Sequence, residues 1–217
     1  MSPLEKERNL DSKVYLNENH MWYVVQAIVN ESSARLGLNR GAGNTYSALL
    51  TTSSIVQAQR YYEMFKAVKE GTAPVKIDKK IKRLLPDFPK VAITYSVTEN
   101  DANSSYNQDR MKECLEDYYE EFGEPRFDMS QLRSYNRNVN ERLARKEEKY
   151  LKRSNQLDLV IVVDRLLTGF DAPCLSTLFV DRQPMREQNL IQAFSRTNRL
   201  FDKNKRYGQI VTFQYPE

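Results

Sequence analysis

Asp158 to Arg199 reads DLVIVVDRLLTGFDAPCLSTLFVDRQPMREQNLIQAFSRTNR, and this stretch decides the fold. Leu159 to Val163 is an unbroken apolar run rich in β-branched residues, the pattern of a strand buried on both faces of a parallel sheet. It leads into Leu167-Thr168-Gly169-Phe170-Asp171-Ala172-Pro173, a tight loop where Gly permits close backbone approach and Pro stops regular structure. A second short strand, Leu178 to Val180, and a polar link precede a helix predicted from about Glu187 to Phe201. At about 100° per residue, Gln192, Arg196 and Arg199 fall within roughly 60° of one another on that helix. Leu190, Phe194 and Phe201 fall on the opposite side, where they would pack against the sheet. Two guanidiniums one turn apart suit a phosphate-rich ligand, because Arg stays charged and forks onto phosphate oxygens. A merely solvated helix face carries the same pattern, so the neighbouring elements must decide between the two.

Working outward, strands are predicted near 46–52, 91–97, 158–164, 177–181 and 208–213, with helices between most of them. Such alternation implies a doubly wound α/β layer with a mainly parallel sheet. An N-terminal helix is expected from about Glu18 to Leu36, with Trp22, Val25, Ile28 and Val29 on one face and Gly37 as its stop. Further helices are expected at Ile55 to Lys69, at Asp109 to Phe122 and from near Gln131. Met111, Leu115 and Tyr118/Tyr119 would face inward from the second of these. Thr98 to Gln108 reads as a polar loop, and 98–153 as a helical, partly basic insertion. The expected organisation is a lead-in and helix over 1–40, followed by the α/β domain over 41–217.

The 217 residues carry 33 basic and 29 acidic side chains, a net charge of +4. That balance permits nucleic-acid binding without requiring it. Cys114 and Cys174 form no Cys-x-x-Cys pair and His20 is the sole histidine, which argues against a Cys/His zinc site. His20 itself reads as a surface or capping residue near a helix start. No signal peptide or membrane-spanning run is visible, so a cytoplasmic location is expected. The polar, motif-free start predicts a fragment of a longer chain.

Two further stretches bear on ligands. Thr52-Ser53-Ser54 lies at a strand-to-helix junction, where hydroxyls and free helix N–H groups gather as a phosphate site or as an ordinary N-cap. Between Gln131 and Arg153 eight basic residues face three acidic ones, with Tyr135 and Tyr150 interleaved. That composition fits either a phosphate-tracking surface or a solvated helix face, and the acidic helix before it could simply pair with it. Gly41-Ala42-Gly43 is a turn. The Gly-x-x-x-x-Gly-Lys-Ser/Thr loop that cradles β- and γ-phosphates is absent from the chain, as is an Asp-Glu pair for magnesium.

Gln192-Ala193-Phe194-Ser195-Arg196-Thr197-Asn198-Arg199 resembles motif VI of superfamily 2 helicases, Gln-x-x-Gly-Arg-x-x-Arg, with Ser195 in place of Gly. Thr168-Gly169-Phe170-Asp171-Ala172-Pro173 resembles their motif V, and the wording of both is most similar to the motor (R) subunit of type I restriction enzymes. The resemblance implies a second RecA-like lobe. Arg199 would be the arginine finger, Arg196 a second γ-phosphate contact, and Gln192 a residue positioning the helix or the nucleotide. Asp171 and Gly169 would stand near the nucleotide, while Thr52, Ser53, Ser54, Thr168 and Gly169 would meet the DNA backbone. ATP and Mg2+ would be bound mainly by a first RecA-like lobe outside this chain. The implied partners are double-stranded DNA, that lobe and the nuclease domain of the same subunit, and the methyltransferase and specificity subunits. Alone, the chain is expected neither to bind ATP tightly nor to hydrolyse it. A type III restriction or remodelling motor, or a non-catalytic α/β binding module, fits the same residues less closely.

Overall fold

The computed structural model describes residues 15–95, 104–163, 172–182, 191, 195, 197–205 and 207–214. Its strands are β1 (Ser47–Thr52), β2 (Val91–Thr94), β3 (Leu159–Val163), β4 (Leu175–Asp181) and β5 (Gln209–Thr212). They form one sheet in the order β2-β3-β1-β4-β5, and every pairing is parallel. Every residue of β1 and β4 is buried, the polar ones included, as strands are when helices cover both faces of a parallel sheet. β5 lies at an edge and is only half-buried.

The helices are α1 (Glu18–Gln26), α2 (Ile55–Glu70), α3 (Lys79–Leu84), α4 (Ser104–Phe122) and α5 (Leu132–Ala144). Each starts or stops where local chemistry dictates. Asn17 caps α1, accepting from Asn19 N–H at 2.8 Å, and α1 passes into a π-helical turn over Ala27–Glu31. Ser54 caps α2 through Gln57 N–H at 3.1 Å. Gly71, at φ +78°, ends α2 with its N–H on the carbonyls of Ala67 and Val68, a left-handed turn that suits glycine. Asp128 opens the turn before α5 with a reciprocal capping box to Gln131.

One apolar core gathers Val24 of α1 and Ile28 of the π-helical turn after it, Tyr61 and Phe65 of α2, Met111 and Tyr118 of α4, Tyr135 and Leu143 of α5, and the sheet. The segment expected as an insertion therefore packs on the sheet itself, with Tyr135 donating to the β2 carbonyl of Ile93 at 2.8 Å. Several boundaries differ from expectation, among them the N-terminal helix, which ends at Glu31 rather than near Leu36, and β2, which ends at Thr94 rather than near 97. α4 begins at Ser104 rather than near Asp109, because the Tyr95 hydroxyl takes the Asn107 carbonyl at 3.0 Å and draws that turn onto the sheet. β4 begins at Leu175 rather than near 177, with Ser47 pairing Leu175 before a shift in register. The architecture is α/β of the RecA-like type. Among the described residues no helix is long and apolar enough to cross a membrane.

Candidate functional sites at the two ends of the sheet

In open parallel sheets ligands gather at the carboxyl ends of the strands. There Thr52 of β1 stands opposite Val163 of β3 on one side and Asp181 of β4 on the other. The junction Thr52-Ser53-Ser54 leaves from this point, and its three hydroxyls have separate fates. Thr52 is fully buried, and its hydroxyl donates inward to the Ser54 carbonyl at 3.2 Å. Ser54 spends its lone pair on the α2 cap, which leaves its O–H proton to donate. Ser53 is exposed, with its N–H at 3.0 Å and its hydroxyl at 2.8 Å from Gln57 Oε1. The N-cap expected of this junction is therefore present, and the Ser53 donors turn back onto Gln57.

Behind the junction lies a buried carboxylate. Asp181 is fully buried and accepts from Gln57 Nε2 at 2.8 Å, Tyr61 hydroxyl at 2.5 Å and Gln214 Nε2 at 2.9 Å. His20 Nε2 completes the set at 2.8 Å; a carboxylate accepts, so this nitrogen carries the proton. Burial pushes the Tyr61 hydroxyl far up, and the Asp181 charge pushes it further, so Tyr61 stays a donor. His20, expected at the surface or as a cap, is instead a half-buried ligand of this carboxylate. The reason is tertiary: α1 packs beside α2 and turns the His20 face onto the end of β4. Gln57 joins the two layers, since one end of its amide holds Asp181 and the other holds Ser53. Neither Asp181 nor Gln57 stood out in the sequence, where each is an ordinary polar residue at an element boundary.

The opposite end of the sheet carries the end of the Arg-bearing helix. Ile191, Ser195 and Thr197 are helical and Asn198 is a turn, so the helix stops short of the expected Phe201. Lys205 supplies the reason. Its Nζ donates to the Thr197 carbonyl at 2.8 Å and also to the Arg199 carbonyl, capturing acceptors that would otherwise continue the helix. Arg199 is exposed just beyond the turn. Asp202 anchors the following loop: it accepts from Asn204 N–H and Lys205 N–H at 2.7 Å each, and from Tyr46 hydroxyl and Arg40 Nη2 at 3.0 Å each. Burial alone would push the Asp202 carboxyl up. The N–H groups of Lys205 and Asn204, with Arg40 and Tyr46, outweigh it and hold the group at about 2. Phe201 packs edge-on against Tyr46, ring centres 6.4 Å apart, instead of lying on the helix face.

The basic stretch after Gln131 resolves in favour of structure at three of its arginines. Arg145 is 3% exposed and bonds the Thr45 carbonyl and, at 2.8 Å, that of Leu157. Arg142 lies 4.2 Å over the Phe122 ring and reaches Asn155. Arg153 joins Asp87 at 3.0 Å and Asp158 at 2.5 Å. The acidic helix α4 pairs elsewhere: Asp117 takes Lys66 at 2.6 Å and Glu121 takes Lys69, both on α2, and Glu121 also takes Lys90 at 3.2 Å. The remaining expected site residues, Thr168, Gly169, Asp171, Gln192 and Arg196, lie outside the described residues.

Residues 44–215 match the family model described as type I restriction enzyme subunit R domain 3. The chain is 29% identical over 205 residues to a type I restriction enzyme endonuclease subunit of Staphylococcus aureus (strain MRSA252), covering 93% of this chain and 20% of that protein. It is 28% identical over 221 residues to the corresponding subunit of Staphylococcus saprophyticus, covering 96% and 22%. A shorter match, 42% over 66 residues, joins 30% of this chain to 6% of the HindI endonuclease subunit of Haemophilus influenzae. The chain thus spans about a fifth of the length of the first two relatives. It belongs to the type I restriction enzyme subunit R domain 3 family, as a fragment of an R subunit.

Proposed function

We propose that this chain is the second RecA-like lobe of the ATP-dependent DNA-translocating motor in a type I restriction enzyme. The observation that carries the reading is Arg199, which occupies the last position of the motif VI pattern and stands exposed on a backbone held from below. A permanent cation so placed fits the phosphates of a nucleotide shared with a neighbouring lobe. The nucleotide, with its magnesium, would supply the phosphoryl group. The contribution of this chain is charge and alignment, which is most of what phosphoryl transfer asks of a protein. Arg199 meets the charge that accumulates on the transferred group, with Arg196 as a second contact, Gln192 positioning the helix, and Asp171 and Gly169 near the nucleotide.

At the other end of the sheet Ser54 keeps an O–H proton for the DNA backbone, and Ser53 would reach it on releasing Gln57 Oε1; Thr168 and Gly169 are the further contacts of this reading. Thr52 takes part from inside, fixing the junction. DNA held across two lobes that close and open with hydrolysis would be moved stepwise. The methyltransferase and specificity subunits and the nuclease domain of the same subunit are the expected partners. The test is DNA-stimulated ATP hydrolysis by the complete subunit with its partners, wild type against Arg199→Ala. Turnover should fall on the order of 10³-fold with ATP binding reduced much less. Unchanged hydrolysis would leave the Arg-bearing helix as scaffold and the chain as a binding module.

A further inference from the structure

Arg199 lies past the end of its helix, where peptide carbonyls lack intrahelical partners and helix ends fray. The structure places a buried amine there. Lys205 is 2% exposed, and its Nζ bonds the carbonyls of Thr197 and Arg199, one on each side of the Asn198 turn. We propose that Lys205 is the positioning residue for Arg199, holding the peptide on which the exposed guanidinium is mounted. This inference rests on the reading of Arg199 as an arginine finger.

Two neighbours reinforce the clamp. Asp202 fixes the loop that carries Lys205 through the N–H groups of Asn204 and Lys205, and is itself tied to Arg40 and Tyr46 at the foot of β1. From the other side Gly208 presses on the turn: a Cβ there would lie 2.3 Å from the Thr197 carbonyl carbon. Only glycine lets the start of β5 come so near, and its N–H donates to Asn198 Oδ1 at 3.3 Å. The ammonium is kept at a cost. Burial pulls Lys205 down to about 8, with Cys174 and Asp202 pulling the other way. A methionine would fill the same space without that cost but could not hold two carbonyls.

The experiment uses the complete enzyme with Lys205→Met, which keeps the length of the stem and removes the donor. Its turnover in DNA-stimulated ATP hydrolysis should fall on the order of 10²-fold, as misplacement of a reacting group does. The KM for ATP and the half-saturating DNA concentration should stay near wild type. Added to Arg199→Ala, Lys205→Met should slow the enzyme no further, because both act through one group. If Lys205→Met does not fold, Asn198→Ala decides: this exposed position removes the tie to Gly208 and should show a smaller turnover loss with the same non-additivity. A dead Arg199→Ala beside an unimpaired Lys205→Met, or beside an unimpaired Asn198→Ala where Lys205→Met does not fold, overturns this inference alone. Losses that add to those of Arg199→Ala overturn it too, by assigning Lys205 a merely structural role. An Arg199→Ala enzyme with wild-type turnover overturns the finger reading and the inference together.

Discussion

Two aspartates hold the two ends of the same sheet, and they do so by different means. Asp181, fully buried, satisfies its oxygens among the described residues with side chains: His20 from α1, Gln57 and Tyr61 from α2, and Gln214 beyond β5. Asp202, with its side chain 31% exposed, takes two N–H groups from its own turn and adds Arg40 and Tyr46 from across the fold. The first is a tertiary knot that exists only when the whole domain is folded. The second is a local turn that tertiary contacts then brace. Above Asp181 stands the Ser53 hydroxyl, and beside Asp202 the Lys205 clamp under Arg199. The strand between them, β1, has six residues, a span of roughly 20 Å at about 3.3 Å per residue. The proposed DNA contact and the proposed finger are therefore separate structures, each with its own carboxylate anchor.

If the knot is tertiary, cutting it should cost the most. Asp181→Ala leaves four buried or half-buried donors without their acceptor, and should destabilise the domain by about 3–5 kcal/mol in urea unfolding. A loss under about 1 kcal/mol, the level of an ordinary surface change, would mean that the donors find other partners. At the opposite end Gly208→Ala forces a methyl into the Thr197 backbone, which should cost about 1–3 kcal/mol and lower turnover through Arg199. Ser54→Ala, which removes the α2 cap, should cost about 1 kcal/mol and raise the DNA concentration needed for half-saturation.

The smallest effect belongs to Asp202→Asn, about 0.5–1 kcal/mol at neutral pH for a partly exposed pair. It has the clearest pH signature. The folded group sits at about 2, below its ordinary 3.8. Its contribution is therefore fully present above pH 4 and lost as pH falls from 4 to 2. Stability curves of wild type and variant should converge in that window; a constant gap down to pH 2 would show that the charge contributes nothing.

The sheet was legible because its signal is local. Leu159 to Val163 announces itself as an apolar run, and all five strands fall within two or three residues of their expected places. The stop of α2 was legible to within a residue, where Gly71 takes a positive φ; the N-terminal helix, expected to run to Leu36 and stop at Gly37, ends at Glu31 instead. The end of the Arg-bearing helix was not legible, because it is set by Lys205 and Gly208 arriving from further along the chain. The knot at Asp181 failed for the same reason. Its partners lie 33 to 161 residues away, and nothing in His20 or Gln57 alone points to a carboxylate across the fold. Arg142, Arg145 and Arg153 show the converse: a basic stretch with aromatics looks like a surface until the guanidiniums are seen to turn inward.

The most direct test of the division between the two ends is one titration, DNA-stimulated ATP hydrolysis by the complete enzyme against DNA concentration. It compares wild type, the double variant Ser53→Ala/Ser54→Ala and Arg199→Ala. The serine variant should need more DNA, with an unchanged salt dependence because a neutral hydroxyl releases no counterion, yet reach near-wild-type turnover at saturation. Arg199→Ala should saturate at the wild-type DNA concentration with turnover lowered on the order of 10³-fold. Two variants that shift the same parameter would contradict separate roles for the Asp181 and Asp202 ends of the sheet.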